Sequence, residues 1–223
     1  MVSLRKLIPF RIRLQVEIEV FKTLAKGSRI VEYPFIIGNA NIAEPSKTLV
    51  FGCFNDFAAI QLASIGFEVF GFDLQDNVFR HPNFKFIKGD FLLTSKRFPD
   101  GFFDLAFALS SIEHAVIDTH SRQIIEKGDE KTVAEIHRLL KSGGRFLLTV
   151  PFGQAGLYPR KKPTYKKYDR GSLRQLLKDF DVYYSRYFGC ATDGIWLPSA
   201  PETLENEHPS DIPRSVACIC ARK

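Results

Sequence analysis

The sequence predicts an α/β protein whose mainly parallel sheet is covered by helices on both faces. From residue 48 onward, short runs rich in β-branched and aromatic residues alternate with segments of helical hydrophobic spacing. Strands that alternate with helices form right-handed crossovers and a largely parallel sheet. The 223 residues also suffice for one domain that buries its core without a disulfide or metal staple.

Seven segments are predicted as strands because each is short, apolar and bounded by turn residues. In chain order they are Thr48–Gly52, Glu68–Phe72, Phe84–Lys88, Phe103–Ala108, Arg145–Val150, Asp181–Tyr187 and Ser215–Ala221. Helical spacing predicts three helices between them, at Phe57–Ile65, Thr132–Leu140 and Ser172–Leu177. We expect the pair Gly143-Gly144 to end the second of these helices, since glycine adopts the left-handed conformation at little cost.

The first 47 residues are predicted as an N-terminal helical extension to a domain of residues 48–223. Within this extension, Ile12–Leu24 carries apolar residues at helical spacing, which predicts an amphipathic helix. Three roles for that helix stay open: a brace or lid on the domain, a dimer contact, or a membrane-peripheral helix. The oligomeric state is equally open.

Composition places the chain among soluble globular proteins, with 45% hydrophobic and 25% charged residues. No apolar run is long enough to span a membrane, and the first residues do not resemble a signal peptide. The four cysteines have no CxxC spacing, so we expect free, mostly buried thiols and a cytoplasmic protein. They are Cys53, Cys190, Cys218 and Cys220.

Candidate site residues follow the strands, at the edge of the sheet where α/β proteins bind ligands. Gly52 opens the turn after the first strand, where free N–H groups at a helix start can meet a polar ligand. Asp73 follows the second strand, and a carboxylate there suits the two hydroxyls of a ribose. Asp90 and Phe91 follow the third strand and suit the amino group and the flat face of an adenine. The fourth strand leads into Leu109-Ser110-Ser111-Ile112-Glu113-His114.

In this order, the segments GFEVFGFDL, FKFIKGDF, FPDGFFDLAFALSSIEH and EIHRLLKSGGRFLLTVPFG resemble the class I, Rossmann-like S-adenosylmethionine-dependent methyltransferases. The resemblance covers about Thr48 to Val150 and extends more loosely to the C-terminus. The stretch TVPFG, followed by KKYDRGSLRQLLKDFDVYYSRYFG, resembles a subgroup associated with glycan and polysaccharide biosynthesis.

The resemblance implies a seven-stranded sheet whose last strand is antiparallel, and S-adenosylmethionine as cofactor. The implied cofactor-binding residues lie after the first four strands: Gly52, Cys53, Phe54, Asp56, Asp73, Leu74, Asp90, Phe91, Leu109, Ser110 and Ser111. The ribose would lie on Asp73 and the adenine near Asp90 and Phe91. Glu113 and His114 would face the acceptor.

The first motif departs from the family pattern, which reads acidic-x-Gly-x-Gly-x-Gly. Here the stretch is Val50-Phe51-Gly52-Cys53-Phe54-Asn55-Asp56, with one glycine of three and no leading carboxylate. Two accounts stay open. Either Asp56 contacts the ammonium of the cofactor while Phe54 turns into the core, or the pocket is closed. In the second account the chain is a catalytically silent, methyltransferase-like binding module.

Methyl transfer from a sulfonium mainly requires alignment, but an oxygen acceptor must also lose its proton. We expect His114 to be the general base, because histidine exchanges protons near neutral pH. Glu113 would orient it or bind an acceptor hydroxyl; alternatively, both residues only stabilise a helix start. The Glu-x-x-Glu-His arrangement that holds a divalent metal in some related enzymes lacks its first carboxylate here, so we predict no protein-held metal.

Most of the net charge of +6 lies in the stretch YPRKKPTYKKYDR. Its cations Arg160, Lys161, Lys162, Lys166 and Lys167 suit a phosphate-bearing glycan or other small acceptor, with tyrosines against sugar rings. Single-stranded RNA, or a loop without a ligand, are the alternatives. A nicotinamide-dependent oxidoreductase is a third function class, disfavoured because a pyrophosphate needs the missing glycines.

Overall fold

The computed structural model describes residues 27–41, 44–54, 56–118, 121–207 and 212–223. The predicted helix Ile12–Leu24 lies outside these residues. Six helices are described: α1 (Arg29–Asn39), α2 (Phe57–Ser64), α3 (Phe91–Thr94), α4 (Gly128–Leu139), α5 (Arg170–Leu176) and α6 (Pro201–Asn206). Two single 3-10 turns span Ser95–Arg97 and Ile112–His114.

Ten strands are described, and all seven predicted strands are among them. They are β1 (Lys47–Phe51), β2 (Glu68–Asp73), β3 (Phe84–Lys88), β4 (Phe103–Leu109), β5 (Leu140–Pro151), β6 (Gly156–Tyr158), β7 (Tyr165–Lys167), β8 (Asp181–Cys190), β9 (Trp196–Pro198) and β10 (Ser215–Arg222). Strands β6 and β7 form a separate antiparallel hairpin.

The main sheet has the strand order β3-β2-β1-β4-β5-β10-β8-β9. Strands β1 to β5 are parallel to one another, and β10 is antiparallel to both β5 and β8. This arrangement confirms the Rossmann-like α/β fold with an antiparallel last strand. The sheet has eight strands rather than the seven predicted, because β9 pairs with the outer edge of β8. Sequence reasoning missed β9 because a three-residue strand ending in Pro198 has no hydrophobic period.

The two faces of the sheet carry separate apolar layers. One layer packs against α1 and α2, with Phe35, Ile36 and Leu62 among its buried residues. The other packs against α4 and α5, with Ile136 and Leu173 among its buried residues. The protein is therefore a three-layer sandwich, as the alternating pattern predicts.

Helix α1 was not predicted, because Pro34 lies within it and proline breaks most helix interiors. Tertiary contacts hold the helix despite this loss: Phe35 and Ile36 are buried, and Arg145 donates hydrogen bonds to the carbonyls of Asn39 and Ala40. The helix therefore belongs to the packed layer.

Helix α4 ends at Leu139, and β5 begins at the next residue. Gly143 and Gly144 therefore lie within β5 rather than ending the helix. The register of β5 against β4 shifts between Phe103 and Leu105, and Gly143 has a positive φ of 76° there. The glycine pair thus accommodates an irregular strand start.

The strand order reverses between β1 and β4, which are neighbours although β2 and β3 intervene in sequence. The carboxyl ends of both strands meet at this switch point, where open α/β sheets bind ligands. The residues after β1, β2 and β4 are therefore brought to one place.

Candidate active site

Gly52 forms the turn after β1 and is tightly packed against the residues after β4. Its φ is 69°, and a Cβ added there would lie 2.4 Å from the Cβ of Ser111. The Ser111 hydroxyl donates a hydrogen bond of 2.8 Å to the carbonyl of Phe51. Only glycine satisfies both the backbone conformation and the close approach, so the turn and the corner at Ser110-Ser111 are fixed against each other.

Asp73 lies at the end of β2, beside this turn. One carboxylate oxygen accepts a hydrogen bond of 2.8 Å from the N–H of Phe54, and the other accepts one of 2.8 Å from the N–H of Gln75. Each carboxylate oxygen can accept a second hydrogen bond, so the group stays able to bind the hydroxyls of a ribose. Leu74, the next residue, is exposed and apolar. Such a side chain is suited to contact the flat face of a base.

Asp90 and Phe91 lie where β3 passes into α3. The Asp90 carboxylate caps that helix by accepting a hydrogen bond of 2.8 Å from the N–H of Leu92. The ring of Phe91 is buried, with its centroid 5.2 Å from those of Phe51 and Phe72. The ring therefore belongs to the core, and its contact with an adenine stays a prediction.

Phe54 stands where the family pattern has its second glycine, and it is 48% exposed. One of the two accounts requires this side chain to turn into the core, and it has not done so. Cys53, by contrast, is buried. A Cβ added at Gly71 would lie 2.6 Å from its sulfur, so the thiol points into the sheet layer and leaves only the Cys53 backbone near the site.

Asp56 is the N-cap of α2, and its carboxylate accepts a hydrogen bond of 2.8 Å from the N–H of Ala58. Burial raises the pKa of Asp56 to about 6, an effect that the Ala58 hydrogen bond and the charge of Arg29 partly offset. The carboxylate is therefore engaged in holding the helix start.

The end of β4 supplies Leu109, which is buried, and the corner at Ser110-Ser111. Ser110 has a positive φ of 43°. Its N–H donates to both the carbonyl and the hydroxyl oxygen of Thr149 on β5, each at 3.0 Å. Two neighbouring strand ends are thus tied together at the centre of the site.

A residue that sequence reasoning missed completes this corner. Glu32 of α1 is fully buried, and one oxygen of its carboxylate accepts hydrogen bonds from the hydroxyls of Ser110 and Thr149. Its other oxygen accepts from the hydroxyl of Ser28 at 2.8 Å and pairs with Arg29. The only available signal was a glutamate beside an apolar stretch, which does not predict burial.

Glu113 lies in the 3-10 turn after the corner and is almost fully buried. Its Oε2 atom has no hydrogen-bond partner among the residues that the structure describes. Burial raises the pKa of Glu113 to about 8, and the nearby charge of Glu32 adds to that effect. At neutral pH this group is therefore mainly a neutral carboxylic acid, able to donate a hydrogen bond as well as accept one.

His114, the next residue, is exposed and reaches the β6–β7 hairpin. Its Nδ1 atom lies 2.6 Å from the carbonyl oxygen of Thr164. A carbonyl can only accept, so Nδ1 carries the proton and donates, which leaves Nε2 as the acceptor of the neutral ring. The partner that orients His114 is thus the Thr164 carbonyl rather than Glu113.

The five predicted cations divide into two groups. Lys166 pairs with the buried Asp129 at 2.7 Å, and Lys167 is buried with its ammonium 4.3 Å from the ring centroid of Tyr158. Arg160, Lys161 and Lys162, at the tip of the hairpin, are exposed. The tyrosines of this stretch, Tyr158, Tyr165 and Tyr168, are buried and so are not available to stack on sugar rings.

All four cysteines are free thiols, and three of them are buried. Within the described ranges, no three His, Cys, Asp or Glu residues are grouped as metal ligands would be. No helix of the described chain is both long and apolar enough to cross a membrane.

Comparisons with known proteins agree with this geometry. Residues 49–148 match the family model described as a methyltransferase domain. No curated protein matches the chain significantly.

Solved structures resemble the chain over most of its length. A 1,6-didemethyltoxoflavin-N1-methyltransferase from Burkholderia thailandensis, with bound S-adenosylhomocysteine, has a TM-score of 0.61 at 18% identity, covering 97% of this chain and 91% of its own. A methyltransferase from Archaeoglobus fulgidus has a TM-score of 0.61 at 20% identity, covering 92% and 98%. The [4+2]-cyclase SpnF has a TM-score of 0.57 at 17% identity, covering 80% and 75%.

These likenesses show the fold. Together with the matched methyltransferase domain, they support the expectations that the chain is an enzyme and that its cofactor is S-adenosylmethionine. The cyclase shows that the same fold also carries other reactions, so the acceptor must be argued from the site itself.

Proposed function

We propose that this protein is an S-adenosylmethionine-dependent methyltransferase that methylates a hydroxyl oxygen of a glycan or sugar-phosphate acceptor. The observation that carries the proposal is the meeting of three features at one sheet edge. These are the glycine turn after β1, the carboxylate of Asp73 and the orphaned carboxyl oxygen of Glu113. A buried oxygen without a partner is costly unless a ligand completes it.

The cofactor would lie along the turn at Gly52, Cys53 and Phe54, with Asp73 accepting from the ribose hydroxyls. Leu74 offers an apolar wall to the base, and Asp90 stands beyond it. Ser110 and Ser111 would face the sulfonium end. When bound, the cofactor supplies a methyl group on a positively charged sulfur, ready for in-line displacement.

His114 would accept the proton of the acceptor hydroxyl at Nε2. The Thr164 carbonyl holds Nδ1–H and so keeps the ring in the tautomer that a base needs. Glu113 would bind the same hydroxyl or a neighbouring one. Loss of that proton to His114 would leave the acceptor oxygen as the nucleophile towards the methyl group that the bound cofactor would supply.

The hairpin tip supports a phosphate-bearing acceptor. Arg160, Lys161 and Lys162 are exposed, and the hairpin contacts His114 through Thr164. Positive charge beside the base would hold a phosphate and orient the hydroxyl next to it. Lys166 and Lys167 have internal roles, so we assign phosphate binding to the three cations at the tip.

The first test is calorimetric titration with S-adenosylhomocysteine, with NAD as the control ligand. We expect the protein to bind S-adenosylhomocysteine with micromolar affinity and not to bind NAD. Asp73→Asn should lower the affinity for S-adenosylhomocysteine about 10- to 100-fold, because the ribose hydroxyls would no longer donate to a charged carboxylate. Binding of NAD alone would indicate the oxidoreductase class. Absence of binding of both would favour the silent module, and Phe54→Gly would then show whether the exposed ring blocks the pocket.

The acceptor is tested by methyl transfer to nucleotide sugars, sugar phosphates and the corresponding free sugars. Reversing Lys161 and Lys162 to glutamate should raise KM for phosphate-bearing acceptors about 10-fold or more, while free sugars are unaffected. Lys178→Glu is the control, because Lys178 is exposed and precedes the start of β8, on the side where the parallel strands begin and away from their carboxyl ends. Equal effects of both changes would contradict the assigned phosphate site.

A further inference from the structure

The stretch after β1, residues 52–56, contains no lysine or arginine to pair with the carboxylate at the amino-acid end of the cofactor. Val50 is buried and apolar at the position of the family's carboxylate, and the buried carboxylate of Asp56 caps α2. An amino acid carries both an ammonium and a carboxylate, and burying either one unpaired is costly. If this site binds S-adenosylmethionine, charged groups must come from another element.

Helix α1 brings such groups to this place. Glu32 is fully buried, and Arg29 lies one helical turn before it. The Glu32 carboxylate accepts from Ser28, Ser110 and Thr149 as well as from Arg29. With four donors, Glu32 has no capacity left for a ligand, so its effect is to fix the groups around it.

Arg29 differs from Glu32 because its guanidinium retains free capacity. It has five N–H donors, and its Nη1 pairs with Glu32; within the described part of the chain no other hydrogen bond of this side chain is found. Its side chain is 32% exposed, so part of it is open to solvent and to a ligand. It is also close enough to Asp56 and Glu113 to act on both carboxyl groups electrostatically.

Arg29 is linked to the corner at Ser110-Ser111 through Glu32, because one oxygen of the Glu32 carboxylate pairs with Arg29 and the other accepts a hydrogen bond from the Ser110 hydroxyl. This corner packs directly against the turn at Gly52. A planar guanidinium held on one side by a buried carboxylate presents its remaining donors as a fork, which suits a second carboxylate.

We propose that Arg29 binds the carboxylate of the amino-acid end of S-adenosylmethionine and that Glu32 is its positioning residue. This inference rests on the proposed function and deepens it. Helix α1 thereby supplies a charge that the stretch after β1 has lost. The hydrogen bonds of Glu32 also link Arg29 to Ser110. They would therefore fix the position of the amino-acid end relative to the corner that would face the sulfonium.

The test compares two ligands that differ in that end. S-adenosylhomocysteine carries the amino-acid group, and 5′-methylthioadenosine lacks it. We expect Arg29→Met to weaken S-adenosylhomocysteine binding about 10- to 100-fold and to leave methylthioadenosine within about 3-fold. Arg29→Lys keeps the charge without the fork and should recover part of the loss. Glu32→Gln should shift the affinity ratio of the two ligands in the same direction but less.

Arg174→Met is the matched control, because Arg174 is an exposed arginine of α5 in the opposite layer. It should change neither affinity. Equal weakening of both ligands by Arg29→Met would show that Arg29 only holds the fold, and no weakening of either would show no contact. Both results overturn the inference while the proposed function stands. If the unchanged protein binds neither ligand, the proposed function fails and the inference with it.

Discussion

Single residues at the switch point are constrained by how closely β1 and β4 end beside each other. Gly52 has no room for a Cβ because Ser111 occupies that space, and its backbone has a positive φ. The Ser111 hydroxyl, in turn, is bound to the carbonyl just before this glycine. The turn and the corner therefore act as one unit, and a ligand that contacts one contacts the other.

This packing predicts a large cost for Gly52→Ala. The added methyl must displace the Ser110-Ser111 corner and adopt a strained backbone, which we expect to lower the free energy of unfolding by about 2–4 kcal/mol. Gly38→Ala is the control, because Gly38 lies in α1 with nothing within 4 Å of an added Cβ. That change should be neutral or stabilise by up to about 1 kcal/mol. Urea unfolding measures both, and equal effects would contradict the packing argument.

Among the elements, α4 is fixed to the chain after α3 by a charged network around one glutamate. Glu135 is buried, accepts a hydrogen bond of 2.6 Å from the Ser95 hydroxyl and binds Arg138 through both carboxylate oxygens. Lys96 adds a further contact at 3.1 Å. The hydrogen bonds from Arg138, supported by those from Ser95 and Lys96, lower the pKa of Glu135 to about 2.

A lowered pKa in the folded state means that ionised Glu135 stabilises the fold above its ordinary titration range. This contribution should be complete above about pH 5 and lost as the pH falls towards 2. We expect Glu135→Gln to lower the free energy of unfolding by on the order of 2–3 kcal/mol at pH 7, with the difference from the unchanged protein shrinking below pH 4.

The measurement is urea unfolding at pH 7, 5 and 3. Glu68→Gln is the matched control, since Glu68 pairs with Lys85 on the surface. This substitution should lower the free energy of unfolding by less than about 1 kcal/mol at any pH. A difference for Glu135→Gln that does not change between pH 7 and pH 3 would contradict the assignment of the stabilisation to the ionised carboxylate.

The elements that could be predicted from sequence are those with a hydrophobic period. All seven main strands and three helices follow from such patterns, with ends displaced by a few residues. Helix α1 could not be predicted because Pro34 argues against it, and its stability comes from tertiary contacts. Strand β9 and the β6–β7 hairpin are too short to have a period.

The candidate site also has features that could be predicted from the sequence and features that could not. The positions of Asp73, Ser110 and Ser111 near the turn at Gly52 could be predicted, because each lies at the carboxyl end of β2 or β4. The burial of the Phe91 ring and the internal pairing of Lys166 could not, since they depend on which way a side chain turns. Glu32 was missed because its role arises from Ser110 and Thr149, which are distant in the chain and bind its carboxylate.

At the scale of the whole molecule, the sheet joins two halves to which the proposed function gives different roles. Strands β1 to β4 carry the turn at Gly52, the carboxylate of Asp73 and the corner at Ser110-Ser111, within the segment that matches the methyltransferase domain. The chain after β5 carries the hairpin that orients His114 and presents the exposed cations. The proposed division places the cofactor with the first half and acceptor selection with the second.

The attachment of α1 at both ends determines how far the chain can be trimmed. Glu32 holds one end to β4 and β5, Arg145 holds the other, and Phe35 and Ile36 lie buried between them. Removing these two buried side chains alone would cost about 3–6 kcal/mol of stabilising free energy from apolar burial, a large share of the ~5–15 kcal/mol by which a domain is stable. The unit that folds is therefore longer than the segment that family comparison outlines. We expect residues 27–223 to give a soluble, cooperatively melting protein and residues 47–223 to aggregate or melt at least 10 °C lower. Equal melting temperatures would show that α1 is dispensable.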